Sequence, residues 1–242
     1  MGTIKTSMAL FFRERYNNNM MSVAEYASLA GISPRAVRLR AEAGTLLAQK
    51  VGHAWIVDDV ERQRLRRGLK PYRGRPLTAA GFERLALFID DATEALTPEW
   101  RRRGKILARR LHTEPLEELH RLSSARTGKL HLYRADPETI DTLRKSNETQ
   151  PTGVSDPRQT VSPGGTIDLY IRESDLHRLT TQNGLLPVQD KTRANVYLRV
   201  VDGLPRPSIL RLAADLLDYG NPRTDDQAES LIREATGKVV QR

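Results

Sequence analysis

Residues 22–46 constrain the fold more than any other part of the sequence, because they have the spacing of a helix-turn-helix. Ala27 is small and falls where two helices must approach closely. Gly31 follows four residues later, where the turn needs a backbone conformation that most residues resist. Ser33 is placed to cap a second helix and Pro34 to begin it, since this position leaves the missing proline N–H unbonded in any case. The segment therefore predicts two short helices joined by a tight turn.

The second helix carries three arginines, Arg35, Arg38 and Arg40. Arg35 and Arg38 are three residues apart and so share one face of the helix. A short capped helix that carries arginines after a glycine turn is typical of the helix that enters the DNA major groove. We therefore expect Ser33, Pro34 and these arginines to contact DNA. The alternative is an ordinary helical hairpin with a solvated arginine face, because such spacings also occur elsewhere.

The residues that follow favour DNA binding. Two short apolar runs, residues 47–51 and 54–57, flank Gly52 and His53 and predict a tight hairpin, or wing. Two aspartates then cap a third, strongly basic helix. The order helix-turn-helix, wing and helix is that of a winged DNA-binding domain, in which we expect Lys50 and His53 to contact the DNA backbone or the minor groove.

The second helix and the hairpin resemble the excisionase-like and MerR-like winged families, through the residues ISPRAVRLRAEAGTL and KVGHAWIV. In those families a similar Val-Gly-x-x-Trp-x-Ile run forms the wing. The resemblance implies that Trp55 is a core residue beneath the wing. The chain departs from these families at Arg40, where they often have an aromatic residue.

The positive charge of the chain is concentrated in one region. The net charge is +9, and residues 33–76 hold eleven Lys or Arg against four Asp or Glu, a local net charge of +7. Residues 77–242 carry only +1. Neutralising DNA phosphates requires such a concentrated patch, so we expect the DNA contacts to come from the first 76 residues.

Arg73 and Arg75 belong to an Arg-Gly-Arg-Pro run that looks like the core of an AT-hook. In an AT-hook, the glycine lets an extended backbone lie deep in a narrow A·T minor groove, and the arginines point along its floor. The other interpretation, slightly favoured because the run is short and lies at a domain boundary, is a basic linker. In both interpretations we expect Arg73 and Arg75 to contact DNA.

The length is sufficient for two domains, which we place at residues 1–76 and 77–242. The chain has no cysteine, which excludes disulfides and cysteine-ligated metals, and its five histidines have no paired spacing. We therefore predict neither a metal site nor a cofactor. No apolar run is long enough for a membrane span or a signal peptide, so we expect a soluble cytoplasmic protein that does not contact a membrane.

The second domain alternates helical and strand periodicities. Strands are predicted at KLHLYRA, TIDLYI and NVYLRVV, and helices between and after them. One helix, SILRLAADLLDYG, is expected to be amphipathic, with Ile209, Leu212, Ala213 and Leu216 on one face. The expected fold class is α/β (α+β), with an N-terminal winged helix-turn-helix domain followed by a mixed α/β domain with a small sheet.

We predict that the protein is not an enzyme, because the sequence has no nucleophile-base signature, glycine-rich phosphate loop or His-Glu metal spacing. Two pairs of adjacent aspartates, at residues 90–91 and 225–226, fall at helix edges, where solvation and the helix dipole account for them. Asp168, Tyr170 and His177 are close in sequence and are interpreted as residues of a sheet face and a helix face.

The second domain resembles the C-terminal domain of AbiEi-type antitoxins and related winged-helix regulators of actinobacterial type. The similarity runs from IDLYIRESDL through ANVYLRVVDG to AADLLDYGNPRTDDQAESLI. The residues that carry it are Asn195, Val196, Leu198, Arg199, Val200, Asp215, Leu216, Leu217, Asn221, Pro222 and Arg223. Asn195 and Arg199 are also candidates for a functional surface, although we favour a structural ion-pair role for Arg199 because its neighbours are apolar.

The resemblance implies an autorepressor that binds double-stranded operator DNA and an antitoxin that neutralises a nucleotidyltransferase-type toxin encoded in the same operon. It also allows a homodimer on DNA. Two alternatives stay open. One is a winged-helix repressor or excisionase-like architectural protein without a toxin partner, and the other is an enzyme whose second domain acts on nucleic acid delivered by the first. A nucleotidyltransferase reading frame beside the gene would favour the antitoxin.

Overall fold

The computed structural model describes residues 20–42, 46–66, 77–123, 126, 128–162, 164–188 and 191–240. The chain divides into two compact units, residues 1–75 and residues 76–242. Both units combine helices with a small sheet, so the chain belongs to the mixed α and β class that the sequence predicts. Within the described ranges, no helix combines the length and the hydrophobicity needed to span a bilayer.

The first unit packs three helices against a three-stranded sheet in its described part. Its elements are β1 (Met20–Ser22), α1 (Val23–Ala30), α2 (Pro34–Glu42), β2 (Ala48–Val51), β3 (Ala54–Asp58) and α3 (Asp59–Arg66). Strand β3 lies between β1 and β2 and is antiparallel to both, with Val57 opposite Met21 and Ala48. Met21, Val57, Tyr26 and Val37 are buried together, so the helices share one core with the sheet.

The second unit is larger and contains seven helices and five strands among the described residues. Its elements are α4 (Ala79–Ile89), α5 (Pro98–Thr113), α6 (Pro115–Ser123), β4 (Lys129–Arg134), α7 (Pro137–Lys145), β5 (Gln150–Pro151), β6 (Ile167–Arg172), α8 (Glu173–Gln182), β7 (Leu186–Pro187), β8 (Val196–Val201), α9 (Ile209–Leu217) and α10 (Pro222–Val240). The three predicted strands correspond to β4, β6 and β8. Strands β5 and β7 have two residues each, too few to show an alternating pattern in the sequence.

The five strands are arranged in the order β5-β6-β8-β4-β7. Strands β6 and β8 are parallel, and the other three neighbouring pairs are antiparallel. Side chains alternate between the faces of a strand. Leu169 and Leu198 therefore lie on one face, where they join the core with Leu179 of α8. Asp168 and Arg199 lie on the opposite face, where Arg199 contacts α9.

Helix α9 forms where the sequence predicts it, with the predicted apolar residues along one face, but its polar side is buried as well. Its spacing places Leu212 and Leu216 on one apolar face, yet residues 210–217 are all buried. The helix contacts α4, α6 and α10 as well as the sheet, and a helix with neighbours all round has no solvent face. Arg211 and Asp215, which an amphipathic helix would expose, are therefore in the interior.

Helices α4 and α5 approach closely at Gly104. A Cβ atom added to this glycine would lie 2.5 Å from Cγ of Phe88. The Phe88 ring has little room to move, because it is buried with Leu96 and Ala108. The glycine is therefore required by the packing of the two helices rather than by a turn.

We expect Gly104→Ala to lower the free energy of unfolding of the second unit by up to about 2 kcal/mol. Overpacking a core costs about 1–3 kcal/mol, and the higher helix propensity of alanine offsets roughly 1 kcal/mol of this cost. Urea unfolding followed by Trp100 fluorescence, in a chain that also carries Trp55→Phe, measures the change. Gly203→Ala is the matched control, because nothing lies within 4 Å of its added Cβ. Equal free energies of unfolding for Gly104→Ala and Gly203→Ala would contradict the close approach of α4 and α5 at Gly104.

Candidate functional site

The turn between α1 and α2 is made by Gly31, whose φ of 63° lies in the left-handed region that favours glycine. The Gly31 N–H donates to the carbonyl of Ser28 at 3.4 Å, and the Ile32 N–H donates to the carbonyl of Ala27 at 3.0 Å. These bonds give partners to carbonyl groups that the end of α1 would otherwise leave unpaired. The glycine thus ends α1 and directs the chain into α2.

Helix α2 begins as the sequence predicts. Ser33 Oγ accepts a hydrogen bond from the N–H of Ala36 at 3.2 Å, and Pro34 is the first helical residue. Val37 and Ala41 are the buried residues of the helix, whereas Ser33 and Pro34 are exposed. The capped end of α2 and the side of the helix away from Val37 are therefore accessible.

Arg35 and Arg38 lie on this accessible side of α2, and both are exposed. Leu39, four residues after Arg35, is also exposed, with 55% of its surface accessible. Among the residues that the structure describes, no carboxylate forms an ion pair with Arg35 or Arg38. The exposed face of α2 therefore presents two unpaired guanidinium groups beside one apolar side chain. We call Arg35, Arg38 and Leu39 the α2 face.

Arg40 is placed differently from the other two arginines, because it is half-buried. Its charge acts on Tyr26 of the core of the first unit. Burial and the carboxylate of Glu61 raise the pKa of Tyr26, whereas Arg40 and Arg64 act in the opposite direction. Arg40 thus lies towards the interior of the unit and is less accessible than the two arginines of the α2 face, although the sequence predicts that all three contact DNA.

Strands β2 and β3 form the predicted hairpin, with Gly52 and His53 as its two-residue turn. Gly52 has a φ of 60°, which suits the first central position of such a turn. Lys50 and His53 are both exposed on the hairpin. Trp55 is half-buried and packs against the core of the first unit, in line with the role expected for it.

Helix α3 presents fewer accessible cations than its sequence indicates. Arg64 forms an ion pair with Glu61 at 2.9 Å, and both side chains are about 95% buried. The same Glu61 carboxylate accepts the N–H of Leu47 at 3.3 Å, which connects α3 to the chain that enters β2. Two of the charged residues counted in the basic region therefore neutralise each other in the interior, and Arg64 cannot contact phosphates.

Two of the predicted DNA-binding residues, Arg73 and Arg75, lie outside the described residues. Both interpretations of the Arg-Gly-Arg-Pro run, AT-hook and linker, therefore stay predictions. The described part of the proposed interface consists of the capped start of α2, the α2 face and the hairpin with Lys50 and His53.

A second set of charged residues is enclosed in the second unit, on the sheet face that meets α9. The Arg199 guanidinium donates to both carboxylate oxygens of Asp168, at 2.9 and 2.8 Å, and also to Asp218. Tyr170 donates its hydroxyl proton to Asp215 of α9 at 3.0 Å. Arg126 pairs with the same Asp215 at 2.7 Å. The Tyr219 hydroxyl donates to Asp168 at 2.9 Å. We call these groups together the buried charge cluster.

The pKa values in the buried charge cluster follow from burial and from pairing together. Burial alone would raise the pKa of Asp218, but Arg126 and Arg199 lower it below its usual range. Burial alone would lower the pKa of Arg199, but Asp168 and two other carboxylates raise it. Burial also raises the pKa of Asp168, although Arg199 acts to lower it. The two arginines are therefore held in their charged form.

The cluster agrees with the structural interpretation of Arg199. It also shows which residues the sequence analysis missed, namely Asp215, Asp218, Arg126 and Tyr219. An aspartate within the apolar run LAADLLD was the available signal, since a charged residue in a buried helix needs a partner. His177 is exposed on α8 and is not part of the cluster.

Other residues that carry the antitoxin resemblance also have structural roles. The Asn195 side chain accepts the N–H of Ala135 at 2.9 Å and donates to its carbonyl at 2.8 Å. Asn221 caps α10 by accepting the N–H of Thr224 at 3.0 Å, and Pro222 begins that helix. These residues therefore define a scaffold, and among them only Asn221, Pro222 and Arg223 are exposed.

The paired aspartates lie at helix edges, as predicted. Asp90 follows α4 and accepts the N–H of Ile209, the first residue of α9, at 3.2 Å. Asp225 lies in the first turn of α10 but is buried, so the prediction that solvation accounts for it was wrong. No group of three or more His, Asp or Glu side chains within the described ranges could hold a metal ion.

We expect Arg199→Ala to lower the free energy of unfolding of the second unit by about 3–5 kcal/mol, because it leaves buried carboxylates without their partner. Urea unfolding with Trp100 as the reporter, in a chain that also carries Trp55→Phe, assigns the effect to this unit. Arg144→Ala serves as the control, since its pair with Asp141 is half-exposed and contributes less than about 0.5 kcal/mol. A loss below 1 kcal/mol for Arg199→Ala would contradict the role of the cluster.

Comparison with known proteins adds no relative to this picture. No family model matches the chain, and neither a curated protein nor a solved structure matches it. The function of the chain is therefore inferred from its own residues.

Proposed function

We propose that the first unit is a winged helix-turn-helix that binds double-stranded DNA with sequence preference, and that the protein is a transcriptional repressor acting in the cytoplasm. The observation that carries the proposal is the α2 face. Arg35 and Arg38 are exposed side by side on a short capped helix, and no described carboxylate pairs with them. An arginine pair of this kind is suited to guanine bases or phosphates, which it can contact through two parallel hydrogen bonds.

The alternative of a helical hairpin with a solvated arginine face accounts for less. A solvated face does not require the exposed Leu39, whereas a base-reading helix can use an apolar side chain against a thymine methyl group. The hairpin adds Lys50 and His53 on exposed backbone, where a wing would contact the phosphate strand or the minor groove. Helix and hairpin together supply both kinds of contact that a specific DNA-binding unit needs.

These contacts have different roles under the proposal. Contacts to phosphates position a protein on DNA and depend on salt, whereas contacts to base edges select the sequence. We assign base contacts to Arg35 and Arg38, and phosphate or minor-groove contacts to Lys50 and His53. Arg40 is assigned no base contact, because it is half-buried.

We expect the double variant Arg35→Ala/Arg38→Ala to lose preference for the operator upstream of its own gene. Each arginine that bonds a guanine contributes about 1–3 kcal/mol of discrimination, so the affinities for operator and scrambled duplex should converge by a factor of about 5 to about 150 for each residue. A competition gel shift with the two duplexes at constant salt measures this ratio.

Lys50→Ala is the control for this experiment, because a phosphate contact carries no sequence information. It should weaken binding to both duplexes equally and reduce the slope of log affinity against log salt by about 0.9. Unchanged operator preference in the double variant would show that α2 is not the base-reading helix, and the proposal would then fail.

The proposal extends to autorepression and to neutralisation of a nucleotidyltransferase-type toxin from the same operon. This extension is supported by the resemblance of the second unit to AbiEi-type antitoxins. The matching residues hold the scaffold, as the contacts of Asn195, Arg199 and Asn221 illustrate. The toxin would therefore contact other, exposed residues of that scaffold. A repressor or excisionase-like protein without a toxin partner is the second candidate.

We expect repression and toxin neutralisation to separate in the full chain. Arg35→Ala/Arg38→Ala should derepress a reporter fused to the upstream region and still protect cells that express the neighbouring toxin. Arg199→Ala, which destabilises the second unit, should reduce that protection. Colony counts and reporter activity from the same strains provide both readouts. Absence of protection by the wild-type chain would favour the toxin-free repressor.

A further inference from the structure

Helix α5 of the second unit has one buried side and one strongly basic side. Its buried residues are Gly104, Leu107, Ala108 and Leu111, which recur at helical spacing and face α4 and α10. The exposed side carries six cations, Arg101, Arg102, Arg103, Lys105, Arg109 and Arg110. Glu99 is the single Asp or Glu of the helix.

Within the described parts of the chain, no carboxylate forms an ion pair with any of these six cations. Arg101 donates from Nε to the carbonyl of Leu96 at 3.1 Å, and the Arg103 guanidinium lies 4.8 Å from the ring centroid of Trp100. Arg102, Lys105 and Arg109 remain without such contacts. They follow one another at intervals of three and four residues, which places them along one side of the helix. We call these three residues the α5 row.

The α5 row is unfavourable for the isolated fold. Like charges three or four residues apart on a helix repel each other, and Lys105 has a cation at both distances. Other exposed helices of the same unit avoid this, because Arg144 of α7 pairs with Asp141, and Lys238 of α10 pairs with Glu234. The uncompensated charge of α5 therefore calls for an anionic partner outside the chain.

The near-neutral total of the second unit conceals this surface. Residues 77–242 have a net charge of +1, whereas α5 alone has +5, so the rest of the unit carries −4. A net charge describes the whole range, but electrostatic attraction depends on the local distribution. The expectation that DNA contacts come only from the first 76 residues rested on that total.

We propose that the α5 row binds the phosphate backbone of duplex DNA, as a sequence-independent contact outside the first unit. Five of the six cations of α5 are arginines, whose planar guanidinium matches a phosphate through two hydrogen bonds. From Arg102 to Arg109 the helix rises about 10 Å, and duplex DNA carries one charge per about 1.7 Å of its axis. The row therefore faces several phosphates at once.

The choice of duplex DNA over RNA or an acidic protein rests on the function proposed for the first unit. The test uses the full chain with Arg102→Gln, Lys105→Gln and Arg109→Gln together. The matched control removes two arginines and one lysine that already have carboxylate partners, Arg144→Gln, Arg178→Gln and Lys238→Gln. Fluorescence anisotropy with a random-sequence duplex of about 30 base pairs gives the affinity across a series of KCl concentrations.

The α5 variant should reduce the slope of log affinity against log salt by about 2.7, or about 0.9 for each of three lost contacts. Between about 50 and about 200 mM salt, the wild-type affinity would then fall about 40-fold more than the affinity of the variant. The control should keep the wild-type slope. Thermal unfolding of the α5 variant should occur at the wild-type temperature or above, because the substitutions relieve repulsion.

An α5 variant with the wild-type slope would overturn the proposal. So would tighter binding of single-stranded RNA than of duplex, or loss of poly-glutamate binding with DNA binding unchanged. The same series in the Arg35→Ala/Arg38→Ala background separates the two proposals. If the α5 substitutions still reduce the slope of log affinity against log salt in that background, the result supports the α5 row, even where α2 proves not to read bases. If Arg35→Ala/Arg38→Ala loses operator preference and the α5 substitutions leave the slope unchanged, the results support α2 alone.

Discussion

The pair between Arg199 and Asp168 determines how the second unit can be assembled. Removing a guanidinium from water costs several kcal/mol, and only well-placed carboxylates and hydrogen bonds offset this cost. Arg199 has two hydrogen bonds to Asp168 on the neighbouring strand and forms an ion pair with the Asp215 carboxylate of α9 at 3.3 Å. Strand β8, strand β6 and α9 must therefore be positioned together. The carboxylate pairing explains why a helix buried on all sides contains Asp215.

The arginines of this chain fall into two classes that the sequence does not distinguish. Arg64 and Arg199 are buried with carboxylates and hold elements together. Arg35 and Arg38 are exposed on α2 without such partners among the described residues, and so are the cations of the α5 row. Buried pairs add nothing to the field outside the protein, because their charges cancel at short range. Only the second class is available to a polyanion.

Local signals in the sequence were reliable. Gly31, Ser33 and Pro34 each act through backbone within four residues, so the turn and the start of α2 could be predicted from the sequence. Alternation of apolar residues likewise indicated strands β4, β6 and β8. Periodicity located α9 and its apolar face but did not predict the burial of its polar side, because it reports which residues are apolar and not how many neighbours a helix has. The partners of Arg199 were missed for a related reason, since Asp168 is 31 residues away along the chain.

Charge totals hid where the cations lie, because they count residues rather than locate them. In the first unit, the buried pair of Arg64 and Glu61 leaves the net charge unchanged but removes one cation from the surface. In the second unit, the total of +1 conceals the +5 of α5, because acids elsewhere offset it. The free energy of phosphate binding depends on the cations that can release counterions, so contributions from α2, the hairpin and α5 would add. Discrimination between sequences would not add in this way, because phosphate contacts carry no sequence information. On this reasoning the second unit could strengthen DNA binding without changing which sequence α2 selects.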